Sequence, residues 1–281
     1  MIVESEALRH QPKKRKKKQT FRPIYFWLKF VIILAILLTS IVFMALSPFF
    51  NINAIEVNGT KRYSSDALAD LSGIISGKNG FKQIGSSPAS ILMFRFGNAE
   101  KILRKECPYI KEVKVRYIIP SKAVIDIVER TVFAVVPCLG TSLLVDNDGY
   151  VLESVSGDEK QNVLVIKGLK ISGYKIGGKL ADENSESFRC AKKVIDAVHE
   201  MDKKERKKLF EKIDSVDVSN LQKVYVVIES RVVVNLGNLQ DLNYRISTMK
   251  TIFEKNIKKN EKGMLDFTSG ENPVFTPESG G

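Results

Sequence analysis

Apolar positions along the chain fall into three regimes, and each predicts a different kind of element. Residues 24–46 (IYFWLKFVIILAILLTSIVFMAL) are apolar almost throughout, and 30–46 holds no charge, Gly or Pro. At roughly 1.5 Å per residue this run reaches about 34 Å, enough to cross a hydrocarbon core of about 30 Å. No polar face interrupts it, which argues against a buried soluble helix. Lys29 lies near enough to its start to snorkel, beside Tyr25 and Trp27 at the level of an aromatic belt. The second regime, 47–130, mixes period two with helical spacing. Residues 51–57 alternate and end in Asn58-Gly59, a turn signal. Ser64-Ser65-Asp66 caps an amphipathic run, 67–74. Residues 76–90 are rich in Gly and Ser and read as a loop. A short helix follows over 98–107, with Ile102 and Leu103 inward. Two strands, 110–118 and 123–128, are joined at Pro120-Ser121, with Val113, Val115 and Tyr117 on one face. The order is β-α-α-β-β, a small α+β unit.

The third regime, 131–268, predicts short strands with two helices among them. Strands are expected at 133–137, 143–145, 150–152, 163–166, 216–218, 224–228, 231–236 and 264–267. The pair 143–145 and 150–152 flanks Asp146-Asn147-Asp148-Gly149, a hairpin. Helices are expected at 185–201, with Phe188, Ala191, Ile195, Val198 and Met201 in one stripe, and at 239–257. Residues 269–281 (SGENPVFTPESGG) read as a disordered tail.

Charge sharpens the membrane reading. The 281 residues carry 44 Lys and Arg against 32 Asp and Glu, a net of +12. Residues 1–23 hold eight basic and two acidic residues, so half of that excess precedes the apolar run. Lys13, Lys14, Arg15, Lys16, Lys17 and Lys18 stand directly before it, while 47–59 holds one Glu and no Lys or Arg. The positive-inside rule then puts the N-terminus in the cytoplasm and 47–281 outside. A nuclear signal or nucleic-acid patch is the weaker reading of that cluster, because directly before a spanning helix it serves topology and lipid-headgroup contact; the mildly basic body also argues against a nucleic-acid-binding domain. Cleavage as a signal peptide is disfavoured: the run exceeds a usual h-region, and Pro48 would follow the Ala45-Leu46-Ser47 site.

Candidate chemistry is sparse. Ser247-Thr248-Met249-Lys250 and Ser172-Gly173-Tyr174-Lys175 fit S-x-x-K, but S-D-N and K-T-G are missing. Asp146-Asn147-Asp148-Gly149 begins like a calcium loop, yet the twelfth position is Gly157. Cys107, Cys138 and Cys190 show no C-x-x-C spacing; Cys107 and Cys138 are read either as a bridge or as buried thiols. His10 and His199 are too few for a histidine metal site. No catalytic residue, metal or cofactor is therefore assigned. Glu129 and Arg130 close a strand where the two outer units meet, and read equally as a surface ion pair or as an inter-domain latch.

The sequence of these features resembles the FtsQ/DivIB bacterial cell-division family. Phe50, Ile52, Ile55, Val57 and Gly59 match the family's F-x-I-x-x-I-x-V-x-G pattern. Val113, Val115, Pro120, Ile125, Val128, Glu129 and Arg130 match its strand-Pro-strand segment, and Leu144, Asp146 and Gly149 its hairpin. The sequences at 234–237 and 263–266 match its C-terminal β domain. The resemblance implies an α+β chain: a basic cytoplasmic arm (1–23), one transmembrane helix (24–46), a POTRA-type domain (47–130), a mixed β domain with helices (131–268) and a tail (269–281). It further implies a non-enzymatic single-pass scaffold of the division septum, with FtsL-like and FtsB/DivIC-like partners. A membrane-anchored cell-wall enzyme and an anti-sigma-like signalling protein are the alternatives. Strand 264–267 is the last one expected, so its outer edge is the expected docking place. Leu265, Asp266 and Phe267 would meet the partner, with Val232 and Val234 behind them; the competing reading has Leu265 and Phe267 finish the core.

Overall fold

The structure is a computed structural model that describes residues 22–85, 87–156, 163–203, 208–270 and 272–278. The apolar run forms one helix, α1 (Arg22–Ala45). Among the described residues it alone is long and apolar enough to cross a membrane, and its most apolar stretch is not buried. The basic cluster Lys13–Lys18 lies outside the described residues.

A small three-stranded unit follows. Its elements are β1 (Ala54–Asn58), α2 (Ser65–Leu71), α3 (Gly80–Gln83), α4 (Pro88–Leu92), α5 (Gly97–Glu106), β2 (Ile110–Ile118) and β3 (Lys122–Glu129). The strand order is β1-β3-β2, with β1 parallel and β2 antiparallel to the central β3. The alternation in β2 works as the pattern requires: Val113, Val115 and Tyr117 are buried. Ser64 caps α2 by accepting the Ala67 N–H. Two local expectations fail. Ile102 is exposed, because Ala99 and Leu103, four residues apart, form the buried stripe of α5. Residues 76–90 contain α3 and the start of α4 rather than loop alone. There Asn79 and Ser87 cap the backbone of Lys82 and Ser90, so polar residues that suggested a loop act as helix starts.

The second unit is one nine-stranded sheet. Its strands are β4 (Val132–Cys138), β5 (Thr141–Asp146), β6 (Val151–Ser156), β7 (Val165–Lys167), β8 (Ile213–Asp217), β9 (Val224–Ile228), β10 (Val232–Gly237), β11 (Gly263–Asp266) and β12 (Val274–Pro277). Helices α6 (Ser185–Lys203) and α7 (Leu242–Lys255) complete it. The order is β12-β11-β10-β9-β8-β7-β4-β5-β6. The Phe188, Ala191, Ile195 and Val198 stripe of α6 joins Ile246, Met249 and Phe253 of α7 in one core against the sheet. A buried ion pair ties the two helices: Lys250 Nζ lies 3.4 Å from Asp202 Oδ1, and Asp202 also accepts the N–H groups of Leu209 and Phe210.

Strand β12 corrects the expectation of a disordered tail from residue 269. It pairs antiparallel with β11, Leu265 opposite Phe275. Pro and Gly depress strand propensity there, but Val274-Phe275-Thr276 between the two prolines can still pair, and Phe275 packs on the core. The edge of β11 is thus already occupied. Leu265, Val232 and Val234 are fully buried and Phe267 nearly so; they finish the core instead of facing a partner. Leu265→Asp is expected to place an unpaired charge in that core and to abolish cooperative thermal unfolding of the detergent-solubilised chain. A melting temperature equal to that of the unaltered chain would contradict this register.

Candidate functional site: a sheet edge and an inter-unit joint

Adjacent residues of an extended chain point to opposite sides, and this settles the roles of Glu129 and Arg130. They do not pair with each other. Glu129 turns back into the first unit, where Oε1 accepts the Thr60 hydroxyl at 2.9 Å and the N–H groups of Lys61 and Arg62 at 3.0 and 3.1 Å. Gly59 makes the turn possible, with φ +83° and no room for a Cβ, which would collide with the Ile127 carbonyl oxygen. Burial pushes the Glu129 carboxyl up, but the N–H groups of Arg62 and Lys61 and the Thr60 hydroxyl outweigh it and hold it below the usual range.

Arg130 points the other way, into the second unit. Its guanidinium pairs with the Asp146 carboxylate, the two side chains being 11% and 5% exposed. It also stacks over the Tyr150 ring, 3.8 Å from the centroid. Asp146 is fixed in turn by its own hairpin, where Oδ1 accepts the N–H groups of Asp148 and Tyr150 at 2.9 and 2.8 Å. The Asp-Asn-Asp-Gly sequence therefore does two jobs: it closes the turn, and it presents a carboxylate to the preceding unit.

Around this pair the contact widens. Lys111 Nζ lies 2.9 Å from Asp148 Oδ2, and its hydrogen bond holds the Asp148 carboxyl below its ordinary pKa. Arg62 pairs with Glu153 at 2.6 Å and lies over the Tyr109 ring at 4.0 Å. The Tyr109 hydroxyl donates to the same Glu153 oxygen at 2.8 Å. Burial, and then that bond to a carboxylate, raise the Tyr109 phenol well above its usual pKa. Beneath these polar groups Tyr109 packs with Val135, Leu144 and Leu152 in a small apolar cluster. These strand residues face away from α6 and α7, so the first unit sits on the back of the sheet. Arg130 thus reaches across to the second unit, while Glu129 stays within the first.

The sheet edges differ in how they are protected. At β6 the segment 177–179 covers the start of the strand, through Val151 N–H to Gly178 and Gly177 N–H to Val151. The outer side of β2 is partly covered by Phe94–Phe96, through Phe96 N–H to Val115 and Tyr117 N–H to Phe94. β1 carries Glu56, paired with Lys122, charges that discourage pairing. The outer side of β12 has no such cover among the described residues. Glu278 donates its N–H to the Lys262 carbonyl, which sets the alternation. Residues 274 and 276 face β11; Phe275 and Pro277 face outward. Pro277 has no N–H, so the open edge offers one strand donor, at Phe275, and the carbonyls of Phe275 and Pro277. Val274 is half exposed and Thr276 exposed, both uncharged. Asp266 lies one strand in, accepting from Thr268 and Asn235.

The other sequence candidates do not assemble a site. Ser247 is exposed while Lys250 is buried against Asp202, so S-x-x-K presents no nucleophile with its base. Ser172 bonds to Glu183. Cys107 and Cys138 are buried free thiols in separate cores, and Cys190 is a half-buried one; burial pushes the Cys107 and Cys190 thiols up. No cluster of three or more potential metal-ligating side chains occurs among the described residues.

Comparison with known proteins adds to this geometry. Residues 50–130 match the family described as POTRA domain, FtsQ-type. The chain is 24% identical over 247 residues to a cell division protein DivIB of Clostridium tetani, covering 87% of this chain and 85% of the relative. It is 23% identical over 229 residues to the cell division protein DivIB of Clostridium acetobutylicum, covering 82% and 84%. A 66-residue stretch is 38% identical to the cell division protein FtsQ of Novosphingobium aromaticivorans, covering 24% of this chain and 21% of the relative.

Arg130→Ala leaves the Asp146 carboxylate buried without its counter-charge. It is expected to cost about 3–5 kcal/mol, measured by urea unfolding. Arg130→Lys is expected to recover only part of this, since an ammonium cannot stack on Tyr150 as a planar guanidinium does. A loss below about 1 kcal/mol, the range of surface pairs, would show the joint to be incidental.

Proposed function

This chain belongs to the FtsQ/DivIB family of cell-division proteins, and from that membership we propose that it is a non-enzymatic, single-pass scaffold of the division septum. In this reading the N-terminus is cytoplasmic, α1 spans the membrane once, and both folded units stand outside. The scaffold recruits other bitopic division proteins, of FtsL-like and FtsB/DivIC-like kind, and through them regulates septal cell-wall synthesis. The engagement of Lys250 with Asp202, away from Ser247, supports a non-catalytic role.

The observation that carries the recruitment reading is the open, uncharged outer side of β12. A partner strand laid along it gains main-chain hydrogen bonds and a sheet to pack on. Because Pro277 removes one donor, the partner must supply more N–H groups than it receives. That restricts which extended segments fit and in which register. The open edge lies one strand outside the expected place. Leu265, Phe267, Val232 and Val234 form the rigid sheet behind it, and Val274, Phe275 and Thr276 are the contacting positions.

Val274→Lys combined with Thr276→Lys guards the edge while leaving the core intact. In a strain depleted of the native chain, the unaltered protein fused to a fluorescent protein is expected at mid-cell, together with its partners. The doubly altered protein is expected to reach mid-cell but to lose pull-down of the partners by tenfold or more, with an unchanged melting temperature. Full recruitment by the doubly altered chain would remove β12 as the docking edge; uniform envelope fluorescence of the unaltered fusion would remove the septal role.

A further inference from the structure

We propose that the first folded unit dips an apolar tip into the membrane leaflet on the C-terminal side of α1, making a second membrane contact besides the spanning helix. The tip is α4 with the β2–β3 turn. Ile91, Leu92 and Met93 are 56%, 80% and 60% exposed, and Ile118 and Ile119 of the adjacent turn are 41% and 47% exposed. Isolated exposed apolar residues are ordinary, but three in succession beside two more form a patch. The patch is held in shape. Ser87 caps α4, Phe94 takes a left-handed backbone (φ +50°), and Arg95 N–H returns to the Ser90 carbonyl at 2.8 Å. Arg95 is then locked to Glu100 by two bonds of 2.8 Å.

Position and charge select lipid as the occupant. The buried Asn79 amide donates to the Ala45 and Ser47 carbonyls at 2.9 and 3.1 Å, which pins this unit to the end of α1. From there aromatic rings run without a break to the patch: Phe49 to Phe50 at 5.1 Å, Phe50 to Phe81 at 5.2 Å, and Phe81 to Phe94 at 6.0 Å. Phe49 itself is 69% exposed. The apolar surface is therefore continuous with the point where α1 leaves the bilayer. Across residues 71–99 there is no Asp or Glu, Lys78 and Lys82 are present and exposed, and Arg95 is neutralised by Glu100. An apolar tip flanked by exposed lysines, with the one neighbouring carboxylate, Glu100, paired to Arg95, suits an interface of acyl chains and anionic headgroups.

This inference rests on α1 spanning the membrane, so the test reads both. The full chain, with Cys190→Ser, is placed one copy per nanodisc of mixed anionic and zwitterionic lipid. A nitroxide is attached at Leu92→Cys, at Ile36→Cys within α1, or at Leu139→Cys in the exposed β4–β5 turn. Collision rates with oxygen, which concentrates in lipid, and with a water-soluble nickel chelate are compared by electron paramagnetic resonance. The oxygen-to-nickel ratio is expected to be highest at Ile36, severalfold above Leu139 at Leu92, and similarly raised at Met93→Cys. Leu92 and Met93 reading like Leu139, while Ile36 reads as lipid, would overturn the second contact and leave the span standing. Ile36 reading as water would overturn both.

Discussion

One buried ion pair decides how this molecule is put together. Arg130 is the last residue of the POTRA match, and Asp146 opens the turn of the β5–β6 hairpin in the nine-stranded sheet. Removing two charges from water costs several kcal/mol each, so such a pair persists only where further groups complete it. Here they do: Tyr150 covers the guanidinium, and two hairpin N–H groups hold the carboxylate. The pair is directional as well as attractive. A guanidinium stacked on a ring and bonded to a fixed carboxylate admits one orientation, which an apolar contact alone would not impose.

The remaining contacts follow from that orientation. Once Arg130 is seated, Tyr109 lies over Val135, Leu144 and Leu152, and Arg62 reaches Glu153. The first unit is in turn pinned by Asn79 to the end of α1. The path from membrane to sheet is therefore a series of ordered joints rather than a flexible tether. Under the proposed scaffold role, these joints would hold the open β12 edge at a defined place relative to α1.

The sequence made legible whatever depends on local periodicity. The length of α1, the alternation in β2 and the stripe on α6 each follow from a period that burial obeys. The hairpin at Asp146–Gly149 was readable from its turn residues. What stayed hidden depends on partners far along the chain. Glu129 and Arg130 are neighbours of opposite charge, and only the fold tells that one bonds residues 60–62 and the other Asp146. β12 was missed because its flanking Pro, Gly and Ser suggest disorder, while its pairing with β11 comes from tertiary contact. The same cue lets Leu265 and Phe267 read as an edge as readily as core, and the pairing of β12 outside them decides for the core.

If the Arg130–Asp146 pair fixes the two units against each other, they move as one body. Nitroxides at Lys101→Cys on α5 and Tyr244→Cys on α7, both exposed positions, report the distance between units by double electron–electron resonance. A single narrow distribution is predicted for the full chain, broadening when Arg130→Ala is introduced. A broad distribution in the unaltered chain, or a width indifferent to Arg130→Ala, would show that the pair does not hold the units together.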